Sequence, residues 1–91
     1  MKPTRNEIKH AVYYAVAAIS GRSLVDLEEE MVLGGKWRTG VGMDQTAIDA
    51  VASMLNLWIK HRGGKGRIGS GDLAEDTTLG DTIDTVSKQF D

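Results

Sequence analysis

Residues 41–55 read Val41-Gly42-Met43-Asp44-Gln45-Thr46-Ala47-Ile48-Asp49-Ala50-Val51-Ala52-Ser53-Met54-Leu55. A glycine-containing loop meets an aspartate, and an apolar-periodic helix follows at once. Asp44 suits the N-cap position, because its carboxylate can accept the free N–H groups of the first turn. Gln45 and Thr46 then stand at the mouth of the helix, exposed and near the positive end of its dipole. The helix is predicted over residues 44–60. Ile48, Val51, Leu55 and Trp58 run down one side of it, and Ala47, Met54 and Ile59 widen that stripe. A stripe of that breadth fits the central helix of a small bundle. Met54 at this spacing reads as core filler.

Working toward the N-terminus, residues 34–42 are glycine-rich and read as loop, the best candidate in the chain for mobility. The glycines with Lys36 and Arg38 do not make a phosphate cradle of either recognised kind. Lys36 is followed by Trp37 where a P-loop needs Ser or Thr, and no strand–helix alternation supports a dinucleotide fingerprint. Trp37 is expected to fold back over a neighbouring helix as a lid. A short helical turn is predicted over residues 24–31, and Asp26, Glu28, Glu29 and Glu30 read as a solvated acidic face. The first helix is predicted over residues 4–20. Thr4 and Glu7 form a capping-box pattern, and Gly21 supplies a C-cap. Ile8, Ala11, Val12, Ala15, Val16 and Ile19 make its apolar stripe, with Tyr13 and Tyr14 on the flanks. His10 reads as a histidine at the rim.

Toward the C-terminus, residues 60–67 are basic, glycine-rich and free of acids, which describes a flexible loop whose cations sit well by a helix C-terminus, or alternatively a small patch for RNA, phosphate or an acidic partner. Without interleaved aromatics the loop does not read as a nucleic-acid patch. Residues 70–75 suggest a further helical turn, capped by Ser70 or Asp72. The last helix begins after Asp76, with Thr77 or Thr78 as its cap. Leu79, Ile83, Val86 and Phe90 form one apolar edge.

The chain has 91 residues and a formal net charge of -2, enough for one small domain and too balanced for a global field directed at nucleic acid or an anionic membrane. With 0 Cys and 2 His, neither a disulfide framework nor a metal cluster is expected. No apolar run nears the roughly 20 residues of a membrane span, and residues 1–9 lack the apolar core of a secretory signal. A cytoplasmic, single-domain, all-α chain spanning residues 1–91 is the expectation. No Ser-His-Asp set or pocketed carboxylate pair suggests an enzyme.

The order of elements resembles that of the acyl carrier protein family. Val41-Gly42-Met43-Asp44 is similar to the family's Leu-Gly-x-Asp before its attachment serine. Val51, Leu55 and Ile59 fall where its second helix buries apolar residues. Asp72-Leu73-Ala74-Glu75 resembles its short third helix, and Thr77-Thr78-Leu79 with Ile83, Asp84 and Val86 resembles the start of its last. The resemblance implies a small antiparallel four-helix bundle with a long loop between the first two helices. In the family an Asp-Ser-Leu triplet carries the chemistry, and the serine takes a phosphopantetheinyl group from coenzyme A. In this chain the triplet is Asp44-Gln45-Thr46, and a carboxamide cannot form that phosphodiester.

The resemblance therefore implies a carrier-like protein without the usual attachment site and without a cofactor. Phosphopantetheine would need a displaced hydroxyl, with Thr46 the nearest. Gln45 marks the family's attachment position, flanked by Asp44 and Thr46. Met43, Asp49 and Trp37 are the candidates for contact with a partner. Such a chain would act as a binding or regulatory module near lipid, polyketide or peptide biosynthesis, docking on a biosynthetic enzyme or other protein or holding a lipid chain non-covalently. The alternatives are an acyl or peptidyl carrier loaded at a displaced hydroxyl, and an unrelated helical protein-interaction module.

Overall fold

Thr4 starts the first helix as the capping pattern predicts. Its hydroxyl accepts from Glu7 N at 3.2 Å, and Glu7 Oε1 accepts from Thr4 N at 2.9 Å. The computed structural model describes residues 1–91 and contains three α-helices. They are α1 (Arg5–Ser20), α2 (Gln45–His61) and α3 (Leu79–Lys88), with a 3-10 turn at Leu24–Asp26. Gly21, at φ 78, closes α1 in the left-handed conformation. Asp44 caps α2 by accepting from Ala47 N at 2.9 Å, and Thr78 caps α3 by accepting from Asp81 N at 3.0 Å. None of the three helices is long and apolar enough to cross a membrane.

Helix α1 packs against both α2 and α3. Its buried residues are Ile8, Val12, Ala15 and Val16; α2 contributes Ile48, Val51, Leu55 and Ile59, and α3 contributes Leu79, Thr82, Ile83 and Val86. Thr82 is the one polar side chain among them. Its hydroxyl donates to Thr78 O at 2.8 Å, so burial leaves no unmet donor. The stripes expected from periodicity form one core, from which Ile19 is left out at 37% exposure, and Leu27, Met31, Leu33, Ile68 and Leu73 join it from the connections. The radius of gyration is 11.9 Å, against about 12 Å for a folded chain of this length.

Helical structure is narrower than the sequence suggests at two places. Residues 70–76 are turns rather than a third short helix. Asp72 Oδ2 accepts from Gly69 N at 2.7 Å and Thr77 Oγ1 from Ala74 N at 3.0 Å, so side chains take up the donors that a helix would use along its backbone. The turn predicted over residues 24–31 is helical only at Leu24–Asp26. Beyond it the chain runs through turns and bends with one bridging residue, Val32, and its polar groups are met by distant segments. Leu33 N donates to Thr77 O at 2.8 Å, Gly34 N to Glu75 O at 2.9 Å and Leu79 N to Met31 O at 2.9 Å. On the other edge, Val41 N donates to Val32 O at 2.9 Å and Met43 N to Leu33 O at 3.1 Å. This strip holds both ends of the glycine-rich loop, leaving residues 35–39 as its exposed tip.

The acidic block is not simply solvated. Glu29 pairs with Arg5 at 2.7 Å and with Lys9 at 3.5 Å, and Arg5 also reaches Asp84 at 2.9 Å. The two carboxylates raise the Arg5 pKa, Asp84 acting most strongly. Arg5 thereby links the start of α1 to α3 and to the turn at residues 29–30.

Candidate functional site

Asp44 fixes the first turn of α2, and Gln45 is its first residue. Gln45, Thr46 and Asp49 are exposed, as the sequence suggests for the mouth of this helix. The Gln45 amide is engaged on both sides. Nε2 donates to Asp49 Oδ1 at 2.9 Å and to Leu73 O at 3.1 Å. Leu73 itself is 2% exposed, so the amide ties the turn segment of residues 70–76 to the start of α2 from outside while the Leu73 side chain anchors it from within. A carboxamide offers two donors on one nitrogen, which suits this clip; a hydroxyl has only one.

Met43 does not belong with the partner-contact candidates. It is 5% exposed and part of the core, because the Met43 N to Leu33 O bond turns the chain inward before the cap. Trp37 stays outside, at 68% exposure, and forms no lid over a helix. The Arg22 guanidinium lies 3.9 Å from its ring centroid and donates to Trp37 O at 3.1 Å and Gly40 O at 3.2 Å. A cation held on the ring face and two carbonyls satisfied by one fork keep the tip of the loop folded on itself.

A second feature lies between α1 and α2. A groove of about 490 Å³ is floored by Ala11, Ala15 and Leu55 and walled by Tyr14, Met54 and Trp58. Tyr14 stands as a ridge, with a further hollow beyond it lined by Leu24 and Val25. Tyr14 is 69% exposed, Val25 88% and Leu24 45%. Exposed apolar residues gathered in this way mark an interaction surface more often than scattered ones do. Sequence periodicity places both tyrosines on the flanks of the stripe and cannot separate them. Tyr13 packs against the core, where burial, followed by the charges of Glu29, Glu30 and Glu28, raises its hydroxyl pKa. Met54, expected in the core, is 38% exposed on the groove wall. His10 sits at the groove rim, as anticipated.

Glu7 and Arg62 close one end of the groove by a bridge of 2.9 Å between α1 and the C-cap of α2. The Thr4 backbone N–H, and then Arg62, hold the Glu7 carboxyl below its ordinary 4.5. Its pKa is lower folded than unfolded, so the stabilisation is complete above about pH 4.5 and is lost as pH falls through the folded value. Melting curves from about pH 5 to pH 3 should fall less steeply for Glu7→Gln than for the wild type. Equal slopes would show that Glu7 does not contribute to acid sensitivity.

No protein-family model, curated protein or solved structure matches this chain.

Proposed function

We propose that this chain is an atypical relative of the acyl carrier proteins, a binding or regulatory module that has lost covalent loading. In this reading α1, α2, the turns of residues 70–76 and α3 correspond to the four helical segments of the carrier bundle. The observation that supports it best is the setting of Gln45. The residue begins α2 directly after an aspartate N-cap and is exposed, yet its amide is spent on Asp49 and the Leu73 carbonyl. Where a carrier presents a nucleophilic hydroxyl, this chain has a structural clip. The chain would bind a biosynthetic enzyme, with Asp49 and Trp37 as exposed contacts, and carry no cofactor.

Gln45→Ser tests the placement. It removes both clip bonds from an exposed side chain, so the fold should persist with a loss of about 1 kcal/mol, a fall in Tm of about 4–8 °C. Hydrogen exchange should quicken in residues 70–76 and stay unchanged in α1. An unfolded variant would mean that residue 45 supports the core, and the correspondence with carriers would fail.

A second reading, a helical interaction module unrelated to carriers, draws its support from the apolar face around Tyr14. Tyr14→Lys would abolish partner binding in that case, while Asp49→Lys would not.

A further inference from the structure

Composition marks residues 60–67 as a flexible loop, but the fold builds residues 64–67 into one wall of a cleft of about 600 Å³. Helix α2 supplies the other wall, with Ser53, Leu57 and Lys60 on one face. The loop is held at several points. Lys65 N and Gly66 N both donate to Gln89 O at 3.1 Å, at the end of α3. Asn56 grips Ile68 from both sides, accepting from its N–H at 2.7 Å and donating to its carbonyl at 3.0 Å. The loop passes close to the end of α3 at Gly66, where a Cβ would lie 2.3 Å from Gln89 Oε1 and 3.2 Å from Gln89 Cα.

The cations on this frame have no partners. Lys2, Arg5, Lys9 and Arg62 pair with carboxylates; Lys60, Lys65 and Arg67 pair with none, as do Arg22, Lys36, Arg38 and Lys88, but these three share one cleft that no carboxylate lines. In a chain of net charge -2 that is a local reversal of sign. Offsetting the C-terminal carbonyls of α2 accounts for Lys60, which lies in the last turn. It does not account for Lys65 and Arg67, which lie beyond the turn where that effect fades. Leu57, 65% exposed, adds an apolar patch to the same cleft.

We propose that this cleft binds a phosphate monoester bearing an apolar substituent. The phosphate dianion sits among Lys60, Lys65 and Arg67, and the substituent lies against Leu57. Three unpaired cations match a dianion, and the guanidinium fork can take two phosphate oxygens at once. The site is separate from the start of α2 and does not depend on the carrier reading.

The test is a titration of the isotope-labelled full chain with octyl phosphate, followed by amide shifts, with inorganic phosphate in parallel. Saturable shifts should be confined to residues 53–60 and 64–67. Octyl phosphate should bind at least about tenfold more tightly than inorganic phosphate, because methylenes leave water. Lys65→Ala and Arg67→Ala should each weaken binding by roughly tenfold, with melting temperatures near the wild-type value, and Lys36→Ala should not. Vesicles locate the source of the ester. Co-sedimentation with phosphatidic acid but not with phosphatidylcholine assigns it to a lipid headgroup; octyl phosphate binding without co-sedimentation assigns it to a soluble ligand. Shifts that fail to saturate, or affinity unchanged in both variants, would overturn the proposal.

Discussion

Gly40→Ala should be among the most damaging single substitutions in this protein, although it adds one methyl group. A Cβ at residue 40 would lie 2.1 Å from Gly34 O and 2.8 Å from Val32 Cγ2. The nearer atom is backbone, and its carbonyl already accepts from Gly42 N at 2.9 Å, so it cannot swing aside cheaply. Relief requires residues 32–34 and 40–42 to separate, which breaks the strip that joins α1 to α2. The expected cost is about 3 kcal/mol or more, set against a total stability on the order of 5–15 kcal/mol. Urea denaturation would show the midpoint falling sharply. A midpoint within experimental error of wild type would mean that the two segments are not packed against each other.

Leu33→Ala should cost a comparable amount by the opposite route, a void instead of a clash. Leu33 is 0% exposed and lies between two segments, donating to Thr77 O at 2.8 Å and accepting from Met43 N at 3.1 Å. The backbone is therefore pinned on both edges and cannot collapse into the space left behind. Truncation at such a site loses the transfer free energy and leaves a cavity, together about 2–5 kcal/mol. Leu57→Ala is the control. Leu57 is 65% exposed, so its replacement should stay within about 0.5 kcal/mol of wild type. Similar losses at the two leucines would contradict the placement of the core.

Both substitutions fall in a part of the molecule that the sequence leaves blank. Helix starts are legible because Thr4, Asp44 and Thr78 act on N–H groups three residues away, and the core stripes are legible because a helix repeats its faces locally. The strip of residues 29–34 pairs with residues 40–43 and 75–80, and no local pattern announces a partner that far along the chain. For the same reason residues 34–42 read as mobile loop when their ends are in fact fastened. The site divides along similar lines. An exposed Gln45 beside an aspartate cap follows from the sequence, but the clip to Leu73, 28 residues on, does not. Met43 reads as available because it precedes the cap, and one backbone bond to Leu33 turns it inward. Trp37 reads as a lid because large aromatics seek cover, but it stays 68% exposed, with the Arg22 guanidinium on one face of its ring. The ridge of Tyr14 depends on the few degrees of helix rotation that decide which of two adjacent tyrosines meets the core.

Residue 45 decides the functional reading. The purified chain, incubated with coenzyme A and a phosphopantetheinyl transferase alongside a serine-bearing carrier as a positive control, should be weighed intact by mass spectrometry. The carrier correspondence proposed for residue 45 predicts full loading of the control and no change in the mass of this chain, because a carboxamide cannot form the phosphodiester. A gain of one phosphopantetheinyl group, mapped by fragmentation to Thr46 or any other hydroxyl, would contradict that and make the protein a working carrier.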